Sequence, residues 1–271
     1  MPLVRAIFVF GLLALAGAIA VGTVRPTPDA AATSARFRDD PVRGMTVSCP
    51  RSGRIWATDA TVESMRTLRD LGVTWVAIHP YGSISTDGTV GLPRDLGSGD
   101  DAWLTRPIAE AHALGLRIMV KPHLAYWHSR RFGWRGDIEF ANDEAWDRFF
   151  TTYETWITTL ATVCRDADLF VVGTELERTV QHESAWRTII ASVRARTGAP
   201  LTWAANWDGY TRVPFWDALD AVGVQAYFPL VTHEDVPRAD ELAASWARII
   251  ATLDAFGAAA DRPVLLTEFG Y

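Results

Sequence analysis

The chain has 271 residues, 49% of them hydrophobic, which is enough for one large core without a second domain. Its formal net charge of -6 leaves no field attractive to phosphates, and the densest basic stretch is only "SRRFGWR". Nucleic acid is therefore not an expected partner.

The first residues differ in character from the rest. "MPLVR" is a short, positively charged start, and "AIFVFGLLALAGAIA" follows without a charge. Ala18 and Ala20 take the two small positions of a small-x-small cleavage site, so residues 1–20 are expected to be a secretory signal peptide. The uncharged stretch runs on to Val24 and is also long enough to stay uncleaved as an anchor. Either way the protein is expected to be exported, meeting a membrane only if the segment is retained. Residues 21–42 are rich in Pro, Ala and Thr and are expected to form a flexible linker before a domain over 43–271. The two cysteines, Cys49 and Cys164, are too few for a disulfide framework and are expected to be small buried apolar residues.

From Gly44 onward, strand-like and helix-like segments alternate. "GMTVSCP" is strand-like, and "TDATVESMRTLRDLG" has a capping start, helical apolar spacing and a glycine stop. The strand "VTWVAIHP" precedes the helix "TRPIAEAHALG", and the strand "LRIMVKPHL" precedes the long helix "DEAWDRFFTTYETWITTLATVCRDA". "DLFVVGTELE" is followed by "ESAWRTIIASVRARTG", and "PLTWAANWDG" by a short helical piece around "VPFWDALD". "AVGVQAYFPL", the helix "ADELAASWARIIATLDAFGAA" and "RPVLLTEFGY" complete the series.

Near-continuously apolar strands joined by helices imply a parallel sheet buried on both faces. No strand leads into a glycine-rich phosphate loop that opens a helix, and "GSGD" at 97–100 is expected to be only a turn. The expected fold is an α/β protein of the (β/α)8 TIM-barrel class, with seven strands in the sequence and an eighth missing after strand seven. Without that eighth strand, strands one and seven would each present an open edge.

Nearly every strand turns polar at its C-terminal end. These ends carry Lys121 and His123, Glu175, Asn206 and Trp207, Tyr227, and Glu268. Active sites of barrels are built at this face. Glu175 and Glu268, on strands four and seven, can face each other across a cleft, and two such carboxylates are the machinery of glycoside hydrolysis. Taken singly, each Glu could equally be half of an ion pair with Lys121 or Arg178. Glu177 lies one step beyond the strand end and is a nearby decoy.

The Glu of "VVGTELE" and the Glu of "LLTEFGY" resemble the clan A glycoside hydrolases. Together with "AIHPYG", "KPHL", "NWDG" and "QAYFPL", the chain from about 44 to 271 is most similar to glycoside hydrolase family 113. That resemblance implies retaining hydrolysis of β-1,4-mannan, with Glu175 as acid/base and Glu268 as nucleophile. It also implies an oligo- or polysaccharide substrate, no cofactor and a monomer. Many clan A members have Asn immediately before the acid/base, where it binds the sugar 2-hydroxyl; here that position is Thr174.

Tyr227, next to strand seven, is expected to donate its hydroxyl to Glu268. Lys121 and His123 are expected to bind sugar hydroxyls, or His123 to be a plain satisfied histidine. Asn206 offers a polar contact, while Trp207, Trp127, Trp56 and Trp134 follow strands and are candidate stacking platforms. The six His show no metal-ligand spacing, and there is no serine-nucleophile elbow. Two other readings stay open on these residues: a glycanase acting on glucan or xylan, and a barrel that binds carbohydrate without catalysis.

Overall fold

The computed structural model describes residues 7–11, 42–49 and 53–270. The main sheet contains all seven expected strands, and each pairs in parallel with its neighbours. They are β2 (Arg43–Val47), β3 (Trp75–Ile78), β6 (Arg117–Val120), β8 (Leu169–Thr174), β9 (Leu201–Asn206), β10 (Ala221–Ala226) and β11 (Val264–Phe269). The long helices between them are α1 (Asp59–Asp70), α2 (Ala102–Ala113), α3 (Asp143–Val163), α4 (Glu183–Arg194) and α5 (Ala239–Ala259). The expected short helix near Phe215 is a single 3-10 turn, Trp216–Ala218.

Alternation along the strands separates two apolar layers. Trp75, Ala77, Met119, Leu169, Val171, Ala204 and Leu265 pack together inside the curled sheet. Their neighbours Val76, Ile78, Ile118, Val120, Phe170, Val172 and Leu266 face outward into the larger core under the helices. Both α1 and α2 stop at a left-handed glycine, Gly72 and Gly115, whose φ of 88° and 75° suits a residue without Cβ. The next residues close the ends, with Val73 N donating to Leu68 O at 3.1 Å and Leu116 N to Ala111 O at 2.8 Å.

One expectation is corrected. The edge of β2 is not open: a short strand β1 (Ile7–Gly11) pairs with it in parallel, in register from Ile7 opposite Arg43 to Gly11 opposite Val47. An unpaired edge is a template for an apolar segment of high β-propensity, and "IFVFG" is one. The expected signal peptide is described only at this strand and the expected linker only at Val42, so the cleavage site lies outside the described residues.

A second, smaller sheet was not expected. It consists of β4 (Tyr81–Ile84), β5 (Val90–Gly91) and β7 (His123–Ala125), with β4 antiparallel to β5 and parallel to β7. The β4–β5 turn closes through Ser85 N to Thr89 O at 2.9 Å, with Gly88 at a φ of 94°. Both cysteines are buried, as expected.

At Gly223, in the middle of β10, a Cβ would lie 2.1 Å from the Trp203 carbonyl oxygen and 2.8 Å from Thr202 Oγ1. Backbone on the adjacent strand cannot yield without breaking the ladder. Gly223→Ala is therefore expected to destabilise the fold by about 1–3 kcal/mol, the usual cost of overpacking. A urea titration would read this as a lower midpoint at unchanged slope.

Candidate active site

Both acids emerge immediately beyond an irregularity in their strands. Between β10 and β11 the register steps from Val224 opposite Leu266 to Gln225 opposite Glu268, so Thr267 is an extra residue. Between β8 and β9 it steps from Val171 opposite Thr202 to Thr174 opposite Ala204. Bulges of this kind re-aim the side chains that follow them. Gly173 makes the second one possible, since a Cβ there would lie 2.2 Å from the Trp203 ring. Glu175 itself has a φ of 57°, a left-handed conformation that costs a non-glycine residue energy, and its N–H donates to Ala204 O at 3.0 Å. Strain at this position directs the Glu175 side chain instead of letting β8 run on.

The two carboxylates are joined by a buried polar chain. Lys121 Nζ donates to Glu268 Oε2 and also to Gln225 Oε1. Gln225 Nε2 in turn donates to Glu175 Oε1. Lys121 is 2% exposed and Gln225 fully buried, so little water competes for these bonds. The amide orientation of Gln225 follows from its partners: an ammonium requires the oxygen, and a carboxylate requires the nitrogen. Tyr227 donates its hydroxyl to Glu268 Oε1 at 2.9 Å, as expected.

Burial by itself would raise the Glu268 pKa. The charge and hydrogen bond of Lys121, the Tyr227 hydroxyl and the more distant Arg135 charge outweigh it, so the carboxyl lies below its ordinary value. The Tyr227 phenol is pushed up, first by burial and then by the Glu268 charge. Two imidazoles border the site. His79 is lowered to about 4 by burial and by Lys121, while its Nε2 meets Ser48 Oγ at 3.0 Å. His123 is lowered well below its ordinary value by burial, Arg135 and Lys121. Both are neutral at ordinary pH and add no charge beside Lys121.

Glu175 receives two further bonds. Arg135 Nη1 pairs with its Oε2, and Trp134 Nε1 donates to the same oxygen at 3.2 Å. Arg135 is itself buried, donates from Nε to Leu124 O at 3.3 Å, and lies over the Tyr126 ring at 5.6 Å. Sequence reasoning missed Arg135, which lies in the long segment between β7 and α3 and not at a strand end. Of the two expected ion-pair partners, Lys121 pairs with Glu268 and Arg178 does not reach either acid, pairing with Glu139 at 2.5 Å.

The remaining expected residues divide. Asn206 donates from Nδ2 to Glu177 Oε2 at 3.1 Å, so the decoy acid holds an amide beside the site. Trp207 is half-buried against Phe228, with ring centroids 5.8 Å apart. Trp127 is 49% exposed, its ring edge-on to Tyr81 at 5.2 Å. His123 lies against His79 and Tyr81 with both ring nitrogens enclosed, not on an open mouth. Trp56 is corrected as a platform: it is buried in the core, stacked on Trp103, and its N–H donates to Val47 O at 2.7 Å. Thr174 is also buried, its hydroxyl without a hydrogen-bond partner among the described residues. Among the described residues no group of three or more His, Cys, Asp or Glu is placed to hold a metal.

Two acids at barrel strand ends, joined by one buried chain, can be compared with known proteins. The model for Glycoside Hydrolase Family 113 matches residues 45–271. The chain belongs to that family. It is thus a glycoside hydrolase, and its substrate is a carbohydrate. A solved structure of a family 113 β-mannanase from Alicyclobacillus acidocaldarius, in complex with ManMIm, is 27% identical. It superposes with a TM-score of 0.67 over 82% of this chain and 69% of its own. A second family 113 β-1,4-mannanase is 24% identical, with a TM-score of 0.66 over 83% of this chain and 71% of that one. A β-glucuronidase from Faecalibacterium prausnitzii shares the fold at 12% identity and a TM-score of 0.51, over 84% of this chain and 34% of its own. Curated protein sequences return no match.

The Lys121–Glu268 pair yields a prediction in this hydrolase. Lys121→Met leaves an unpaired buried carboxylate and is expected to cost about 3–5 kcal/mol near neutral pH. Because the folded-state pKa of Glu268 is depressed, the pair's contribution is present above the ordinary carboxylate pKa and is lost as pH falls through the folded value. The stability gap between wild type and variant should therefore narrow in acid. Denaturant melts across a pH series measure this, and a gap that is constant with pH would refute it.

Proposed function

We propose that this hydrolase cleaves β-1,4-mannan with retention of configuration, Glu268 acting as nucleophile and Glu175 as acid/base. The observation that carries the reading is the unequal environment of the two acids. Glu268 is buried against a lysine and a tyrosine hydroxyl, which keeps an attacking carboxylate ionised. Glu175 is partly open and sits on a different strand, where it can serve a leaving group.

In the first step a Glu268 oxygen attacks the anomeric carbon as the glycosidic C–O bond breaks, and Glu175 gives its proton to the departing oxygen. In the second step Glu175 takes a proton from water, the water oxygen attacks the same carbon, and the bond to Glu268 breaks. All three partners of Glu175 are donors, two on Oε2 and one on Oε1, which leaves a lone pair of Oε1 to carry the proton. Lys121 holds the Glu268 oxygen opposite the one bonded to Tyr227, which fixes the plane of the carboxylate. Asn206, Trp207 and Trp127 supply polar and stacking contacts to sugar rings. Mannan is favoured over other β-glycans by the likeness to mannanases; a panel of mannan, glucan and xylan with product analysis tests the choice. We further infer a monomer exported by residues 1–20. Cleavage after Ala20 would also remove β1, so the mature N-terminus by mass spectrometry tests that inference.

The roles separate by mutation. Glu268→Ala is expected to abolish glycosyl-enzyme formation on every substrate. Glu175→Ala is expected to slow hydrolysis of the polysaccharide by about 10²–10⁴-fold, the usual contribution of general acid catalysis. It should spare the first step with an activated aryl glycoside, whose leaving group needs little protonation. Burst kinetics on such a glycoside would distinguish the two, and the reverse pattern would exchange the assignments.

A further inference from the structure

Among the described residues, Arg135 is the one cation paired with Glu175, and Glu175 is the one carboxylate paired with Arg135. Their side chains are 10% and 16% exposed, so salt and solvent screen the pair little. The guanidinium is held from other sides as well. Its Nε donates to Leu124 O at 3.3 Å, and its central carbon lies 5.6 Å from the centre of the Tyr126 ring. The turn that it starts, Arg135–Asp137, is closed by Asp137 N donating to Trp134 O at 3.1 Å.

Trp134 reaches Glu175 by way of the same turn. Its ring lies across Gly136, where a Cβ would come within 1.9 Å, so the fold-back of the ring requires glycine there. The indole N–H then meets the same carboxylate oxygen as Arg135. Arg178, three residues beyond Glu175, pairs with Glu139 at 2.5 Å and with Asp137 at 3.8 Å. Those pairs fasten the turn to the segment that leaves Glu175.

The distribution of donors has a chemical consequence. A carboxylate oxygen offers two lone pairs, and on Glu175 Oε2 they face Arg135 Nη1 and Trp134 Nε1. Neither a guanidinium nor an indole N–H can accept a proton in return. On Oε1 the partner among the described residues is Gln225 Nε2, which leaves one lone pair. A proton on Oε2 would break a charge-assisted bond between poorly screened groups, and a proton on Oε1 breaks none.

We propose that Arg135 is a positioning residue for the acid/base: by holding Oε2 it confines the transferable proton to Oε1 and fixes where that oxygen points. The inference rests on the proposed role of Glu175. In the first step the proton passes from Oε1 to the departing glycosidic oxygen, and negative charge grows on Glu175 beside a fixed cation. The bond to Arg135 strengthens as that charge develops. An interaction stronger in the transition state than in the ground state raises kcat and leaves KM alone. Lysine at this position would keep the charge but lose the planar fork that also serves Leu124 O.

The test compares Arg135→Met, Arg135→Lys, Glu175→Ala and wild type as full chains, on β-1,4-mannan and on an activated dinitrophenyl β-mannobioside. Circular dichroism and thermal melts establish that each variant is folded. Arg135→Met is expected to lower kcat on mannan by about 10–100-fold, part of what general acid catalysis supplies, with KM within about twofold. Its burst rate on the aryl glycoside, whose leaving group needs little protonation, should stay within about threefold of wild type. Arg135→Lys should recover about threefold or more of the loss on mannan. An equal loss on both substrates, a raised KM at unchanged kcat, or a lysine variant no better than methionine would overturn the proposal. Glu175→Ala separates this failure from that of the acid assignment. Should it spare the aryl glycoside burst while Arg135→Met does not, Glu175 remains the acid and the positioning role falls. Should Glu175→Ala lose equally on both substrates, the acid assignment falls and takes the positioning role with it.

Discussion

The buried ammonium of Lys121 organises this site. Placing a lysine at 2% exposure among strand ends is costly unless its three donors find partners, and two of them are met by Glu268 and Gln225. Once the lysine is there, Glu268 cannot leave without stranding a charge, and Gln225 must turn its oxygen inward. That orientation leaves the Gln225 nitrogen directed at Glu175. One buried cation therefore sets the positions of groups on four strands or strand ends. Such pairs add little net stability compared with an apolar core of the same volume, so their value lies in the geometry they impose.

The strand irregularities make this geometry reachable. In a regular parallel ladder, side chains alternate strictly, and the acids would fall wherever the alternation put them. An extra residue at Thr267 and the irregularity around Gly173 reset that alternation at the two positions where the acids lie. Glu175 then accepts a left-handed backbone, a local cost met by the packing of the surrounding barrel. The same two places hold buried hydroxyls, of Thr174 and Thr267, with no partner among the described residues. These groups were displaced from the regular ladder in order to place their neighbours.

Much of this was legible in the sequence, for a physical reason. A strand buried on both faces has to be apolar along its length, so the polar residues at its C-terminal end stand out, and Lys121, Asn206, Tyr227 and Glu268 all do. Tyr227 bonds Glu268 as its position beside strand seven implied. Periodicity carries no information about what lies between elements. Arg135, in a long loop, shows no pattern that marks it, and only the folded chain brings it to Glu175. The small sheet escaped notice because its strands are two to four residues long, too short for alternation to register, although "STDGT" is a readable turn. Trp56 follows a strand, as an exposed platform would, yet its indole N–H is spent on Val47 O inside the core. Position after a strand does not determine burial.

The sources of the groups around the two acids differ, and that difference has a consequence. Glu268 is held by Lys121, just beyond β6, and by Tyr227, just beyond β10, both continuous with the rigid sheet. Glu175 takes one donor from β10 and two from the segment between β7 and α3, Trp134 and Arg135. That segment also carries Trp127 and is tied to the β4–β5 hairpin through Arg131. A displacement of this segment would remove two of the three donors from Glu175 and none from Glu268. The architecture therefore separates one carboxylate with a fixed environment from another whose partners depend on a loop. Groups that must not move are placed on strands, and groups that meet the substrate are placed on connections.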